Sequence, residues 1–168
     1  MATGKSPATG SAGSELVITR VFKAPRDLVW QAWTEPETMK RWWGPKGFTA
    51  PVCRIDLRVG GVYHNCMRSP EGQDFWSTGI YREIVPSERL VCTDSFADAQ
   101  GNVVPATHYG MSADFPLELL VTVTFEELDG QTRLTLKHVG LPPGKDLDDC
   151  RDGWSESFDK LAEVLAKA

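Results

Sequence analysis

The stretch VTVTFEELDGQTRLTLKH, Val121 to His138, decides the architecture. Asp129-Gly130 sits between two alternating runs and is a two-residue hairpin signal, because the favoured tight turn needs residues that tolerate positive φ. Closing the chain there pairs Phe125 with Leu134, Val123 with Leu136 and Val121 with His138, while Thr124, Thr135, Glu126 and Arg133 take the other face. One face is apolar except for a histidine, so it needs a covering layer. That layer follows at once. After the breaker Pro142-Pro143-Gly144, Leu147, Cys150, Trp154, Phe158, Leu161 and Leu165 recur at steps of three and four, one stripe of a helix of about 20 residues. Sheet face and helical stripe each bury the other, an α+β arrangement.

Working outward, ELVITRVF from Glu15 reads as a strand, and Pro25 opens a short helix with Leu28, Val29, Trp30 and Trp33 in one stripe. Thr34 and Glu37, with Pro36 between them, have the form of a capping box for a second short helix that Gly44-Pro45 ends. Gly60-Gly61 reads as a hairpin turn that sets Leu57 opposite His64 and Ile55 opposite Cys66. In the next hairpin, pairing Ile84 with Leu90 brings Arg82 opposite Cys92 and Ile80 opposite Asp94. The expected sheet has six or seven antiparallel strands.

Composition narrows the function. The 168 residues, 41% hydrophobic and 24% charged, suit one domain over residues 15–168 behind a disordered tail over residues 1–14. A net charge of −5 argues against nucleic acid as a partner. No apolar run is long enough to insert into a membrane and no secretory h-region is present, so a soluble, cytoplasmic protein is expected. Cys53, Cys66, Cys92 and Cys150 are too widely spaced for a CxxC or zinc motif and are expected as reduced thiols. No metal site, cofactor or catalytic residue is expected, since no GxSxG, HExxH, Walker or GxGxxG motif occurs.

Four of six tryptophans lie between Trp30 and Trp43. Trp30 and Trp33 read as core. Trp42 and Trp43 are adjacent, and neighbours on a helix end point about 100° apart, so one faces the core and the other is free for a cavity mouth. Polar residues on apolar faces are the sharper signal. Arg82 and Asp94 either form an inward pair or are separated by a bulge near Gly79 that turns one to water. His64 and His138 read either as satisfied core histidines or as polar groups of a site. Ala97 to Asp114 is a long connection carrying His108, Tyr109 and Met111, more apolar than a solvated loop needs, and is expected to fold over one end of a cavity.

The segments VFKAPRDLVWQAWTEPETMKRWWGP, DLRVGG, FWSTGIYREIVPSERLVCTDSF and GWSESFDKLAEVL, in this order and spacing, resemble the single-domain relatives of the C-terminal domain of the Hsp90-ATPase activator, within the START-like or SRPBCC superfamily. The resemblance implies a helix-grip fold, a curved sheet wrapped around the C-terminal helix with a cavity between them. It implies no single chemistry, since members include lipid carriers, polyketide cyclases and co-chaperone modules. The expected function is binding of a small hydrophobic molecule in that cavity, with Trp42, Trp43, His64, Trp76, Ile80, Arg82, Asp94, His108, Tyr109, Met111, His138 and Trp154 as candidate ligand contacts. A cofactor-free cyclase or hydratase in the same cavity and a stand-alone partner of an Hsp90-type chaperone are the alternatives.

Overall fold

The hairpin at Asp129-Gly130 forms in the expected register, Phe125 opposite Leu134 and Val121 opposite His138. It belongs to a seven-stranded antiparallel sheet in a computed structural model that describes residues 14–168. The tail expected over residues 1–14 lies outside the described residues, apart from Ser14. The strands are β1 (Ser14–Phe22), β2 (Thr49–Ile55), β3 (Val62–Arg68), β4 (Asp74–Val85), β5 (Arg89–Ala97), β6 (Leu119–Leu128) and β7 (Gln131–Leu141), laid out as β1-β7-β6-β5-β4-β3-β2. Two helices, α1 (Arg26–Thr34) and α2 (Pro36–Met39), follow β1, and α3 (Lys145–Ala166) closes the chain. The curved sheet grips α3, as in a helix-grip fold.

The stripe on α3 behaves as its spacing requires. Phe158 and Leu161 are fully buried, and Phe158 meets Phe22 of β1 edge to face at 5.9 Å. Trp154 is half-buried and stacks on Trp33 of α1 at 6.0 Å. Trp30 packs on Phe125 of β6, so α1 is tied to both the sheet and α3. The aromatic side chains at these seams each hide a large apolar area, which is why two helices as short as α1 and α2 hold their place.

Three local expectations are corrected. Thr34 caps nothing: it is the last residue of α1, its hydroxyl donates back to the Trp30 carbonyl at 2.9 Å, and Glu35 stands at the α2 N-cap without a side-chain bond to the helix backbone. The β2–β3 turn is longer than Gly60-Gly61. Ile55 lies opposite Tyr63 and Arg54 opposite His64, and residues 56–61 form the turn, with Gly60 at φ +86°. This three-residue offset reverses which side chains of β3 face α3. In the β4–β5 hairpin, Ile84 does lie opposite Leu90, but a bulge between Tyr81 and Glu83 then shifts the register so that Tyr81, not Arg82, faces Cys92. One extra residue in a strand moves every later side chain to the other face.

Candidate functional site

Between the concave face of the sheet and α3 lies a partly open cavity of about 60 Å³. Its wall is largely aromatic and aliphatic. Trp33, Met39 and Trp43 come from the α1–α2 region, Trp154 from α3, and Tyr81, Leu90, Val121 and Val123 from the sheet. The Tyr63 and Tyr81 phenols, the Asn65 amide, the Cys92 thiol and the Asp94 carboxylate bring polarity.

Asp94 is the chemical centre. The Tyr63 hydroxyl lies 3.1 Å from its Oδ1 and 3.0 Å from the Thr93 carbonyl, and Nε2 of His138 lies 3.1 Å from its Oδ2. Tyr63 can reach across to β5 because position 79, which its ring overlies, is glycine. A Cβ there would sit 2.4 Å from the Tyr63 ring and 1.9 Å from the Thr93 carbonyl oxygen. Behind Asp94, the imidazole of His138 is held from α3. The Trp154 indole N–H donates to Nδ1 at 3.1 Å, and the Cys150 sulfur lies 3.6 Å from the same nitrogen. Nε2 is close to the carboxylate but turned off its line, and it makes no aligned hydrogen bond.

The proton on His138 is contested. Burial works against a charged ring, whereas Asp94 and Cys150 favour it and would carry its pKa up to about 9. In this arrangement a second proton has no place to sit, because the indole N–H, a donor only, already points at Nδ1. The geometry is that of the neutral Nε2–H imidazole, and charging it requires the Trp154 indole to turn away. Burial also pushes the Tyr63 and Tyr81 phenols and the Cys92 thiol up, the Asp94 carboxylate adding to the effect on Tyr63 and Cys92, so these groups stay neutral at physiological pH. Two buried polar atoms of the described cavity residues have no hydrogen-bond partner: the Trp33 indole Nε1 and the Asn65 Oδ1. A group of this kind is an opening for a ligand's own polar atoms.

Of the candidate residues, Trp43, Asp94 and Trp154 line the cavity, and His138 stands directly behind Asp94. Trp42 is the core member of the adjacent pair, fully buried with its indole donating to the Ala32 carbonyl at 2.9 Å. His64, Trp76, Ile80 and Arg82 lie on the outer face. His64 stacks on Trp76 at 4.7 Å and bonds the Asp98 carbonyl, Ile80 is exposed, and Arg82 pairs with Glu118 instead of Asp94. The 97–114 connection does fold onto the sheet. Tyr109 packs on Phe75 and Phe96, its hydroxyl accepting from the Trp76 N–H at 3.1 Å and donating to the Ala97 carbonyl. His108 rests against Tyr109 and Met111 is exposed; none of the three lines the cavity. The four cysteines are free thiols.

Tyr63, Asn65 and Tyr81 escape the sequence reading because both register slips hide them on the wrong face. Lys160 escapes it as well: its ammonium donates to the carbonyls of Trp43, Gly44, Pro45 and Phe48 at 3.0–3.5 Å and pins the segment that carries Trp43 to α3. Partial burial lowers its pKa.

The site sits in a fold with many solved examples. A protein from Chromobacterium violaceum is 30% identical, covering 90% of this chain and 96% of its own, with a TM-score of 0.75. One from Nitrosomonas europaea is 27% identical over 91% of this chain and 94% of its own, with a TM-score of 0.73. The AHSA1 protein of Silicibacter pomeroyi, 24% identical over 91% and 98% with a TM-score of 0.73, shares the fold. No curated protein matches the chain. No described helix is long and apolar enough to cross a membrane. The family model described as Activator of Hsp90 ATPase homolog 1-like protein matches residues 23–166, most of the chain from α1 to the end of α3, and the chain belongs to that family, within the START/SRPBCC superfamily.

Proposed function

We propose that the protein binds a small, largely apolar molecule in the cavity between sheet and α3, with Asp94 holding its polar end. The observation that supports this is the setting of one carboxylate in a wall that is otherwise aromatic, aliphatic or neutral. Binding sites combine an apolar surface with a few placed polar groups in this way, whereas a cavity that served packing alone gains nothing from a carboxylate. Native mass spectrometry of protein purified from its own host tests the reading, since a retained ligand adds its own mass. A protein that carries no ligand and shows no cavity-residue NMR shifts with any small aromatic compound would defeat it.

A second reading rests on the 3.1 Å approach of His138 to Asp94. A carboxylate on the cavity wall backed by an imidazole can take and return a proton, the minimum for a cofactor-free cyclase or hydratase. Conversion of a retained ligand to a new mass by wild type but not by Asp94→Asn would favour it over simple binding. The family description supports the chaperone reading only by name, and a change in the ATPase rate of an Hsp90-type chaperone on adding the protein is its test.

A further inference from the structure

Resting on the proposed binding function, we infer that the ligand of this cavity is an organic ammonium, a single-ring or similarly small amine whose N–H donors meet Asp94, and that carboxylic acids such as free fatty acids are excluded. The argument is one of charge and of donor count. Asp94 is the only carboxyl group among the described cavity residues, and burial holds the Tyr63, Tyr81 and Cys92 side chains neutral. Among the described residues no protein cation compensates it. Arg82 is spent on Glu118 on the outer face, and the Lys160 ammonium is enclosed by carbonyls of residues 43–48. His138, the one remaining candidate, has its Nδ1 lone pair occupied by the Trp154 N–H and is neutral in this geometry.

A half-buried carboxylate without a counter-cation is costly, and the ligand that relieves the cost brings a positive charge. An anionic head would instead meet Asp94 at close range, where the repulsion is strong. A hydroxyl has one proton to give and an ammonium has three, so the two oxygens of the carboxylate favour the ammonium. The indoles of Trp33, Trp43 and Trp154 and the phenols of Tyr63 and Tyr81 complete a site of the composition that recognises organic cations.

Benzylamine, benzyl alcohol and benzoate share one skeleton and differ in head-group charge, so they separate this inference from the reading beneath it. Each is titrated into the full chain in slightly alkaline buffer, followed by NMR shifts of the Asp94 amide and the Trp43 indole N–H. The expected order is benzylamine tightest, by about tenfold over the alcohol, the usual margin of a charge-assisted over a neutral hydrogen bond, with benzoate weakest. Asp94→Asn is expected to weaken the amine more than the alcohol and so to erase the amine's margin, because the amide keeps an acceptor but loses the charge. If the alcohol binds and benzoate equals or exceeds the amine, the cavity is a binding site but the ammonium inference is overturned. If none of the three binds, both fall. The order in the wild-type protein decides the matter even where the Asn variant does not fold.

Discussion

Gly79→Ala tests the way the site is assembled, because the absence of a side chain at that position is what lets the Tyr63 ring cross β4 to reach β5. The added methyl would lie 1.9 Å from the Thr93 carbonyl oxygen and 2.4 Å from the Tyr63 ring. The carbonyl belongs to a ladder strand and the ring is buried, so neither can yield locally. Forcing extra atoms into such a position costs about 1 to 3 kcal/mol. Displacing the ring also breaks the Tyr63 bonds to Thr93 and Asp94, about 1 to 3 kcal/mol more. Against this, alanine gains up to about 1 kcal/mol through the unfolded chain. The expected net loss is about 2 to 5 kcal/mol, read as a lower urea midpoint. A double-mutant cycle with Tyr63→Phe isolates the hydroxyl: with those bonds already absent, Gly79→Ala is expected to cost about 1 to 2 kcal/mol less than in wild type. A loss under about 1 kcal/mol, or additive costs in the cycle, would refute the claim that Gly79 positions Tyr63.

The remaining predictions concern other supports of the site. Lys160→Met leaves the carbonyls of residues 43–48 without their ammonium and is expected to lose about 1 to 3 kcal/mol and to speed amide exchange from Gly44 to Phe48; unchanged exchange would mean that the clamp does not hold the Trp43 segment. Trp154→Phe removes the donor on Nδ1 and frees that nitrogen for a second proton, so the His138 pKa, read by NMR, is expected to rise above its wild-type value. A folded pKa raised above the ordinary 6.5 by Asp94 and Cys150 adds stability that is full below pH 6.5 and is lost as pH rises through the folded value, so the variant is expected to hold that stability to higher pH than wild type. A pKa equal in both proteins would show that the indole does not hold the ring neutral. Tyr109→Phe loses the bonds to Trp76 and Ala97, and faster exchange at the Trp76 amide and over residues 97–110 is the expected signature; protection equal to wild type would leave the 3-10 turn at Ala106–Tyr109 held by packing alone.

The fold is legible where sequence signals are redundant. The β6–β7 register follows from a turn dipeptide that demands positive φ together with clean alternation on both sides, and Asp129 indeed has φ +54°. The α3 stripe is legible because six apolar residues at helical spacing overdetermine one face. Where two signals compete, the reading fails. Gly60-Gly61 looks like a complete turn, yet the Asp56 carboxylate accepts from the Arg58 side chain and Gly61 is packed where a Cβ would lie 2.1 Å from the Asp56 carbonyl oxygen, so the loop is longer and more closely packed than a dipeptide turn. At Thr34, Pro36 and Glu37 suggest a box, but the hydroxyl has a nearer acceptor in the preceding turn of α1.

The site fails or succeeds with strand parity, and this explains which of its residues can be named from sequence. Asp94 and His138 fall on the cavity side because the alternation within β5 and β7 is unbroken, and the structure brings them within 3.1 Å of each other. Arg82 is the expected partner only if the β4 alternation runs through Tyr81 without a bulge; the bulge sends Arg82 outward and Tyr81 inward, exchanging a cation for a phenol on the wall. The three-residue slip in β3 does the same, replacing His64 by Tyr63 and Asn65. Both slips change the wall in one direction. They remove cationic or protonatable groups from the cavity and leave Asp94 with neutral company, which is the circumstance from which an ammonium ligand follows. Restoring a cation there is therefore a stringent perturbation: Asn65→Lys, whose ammonium can extend to Asp94, is expected to fill and neutralise the cavity and to abolish amine binding while the fold survives by circular dichroism. Retained amine affinity in that folded variant would place the amine elsewhere on the molecule.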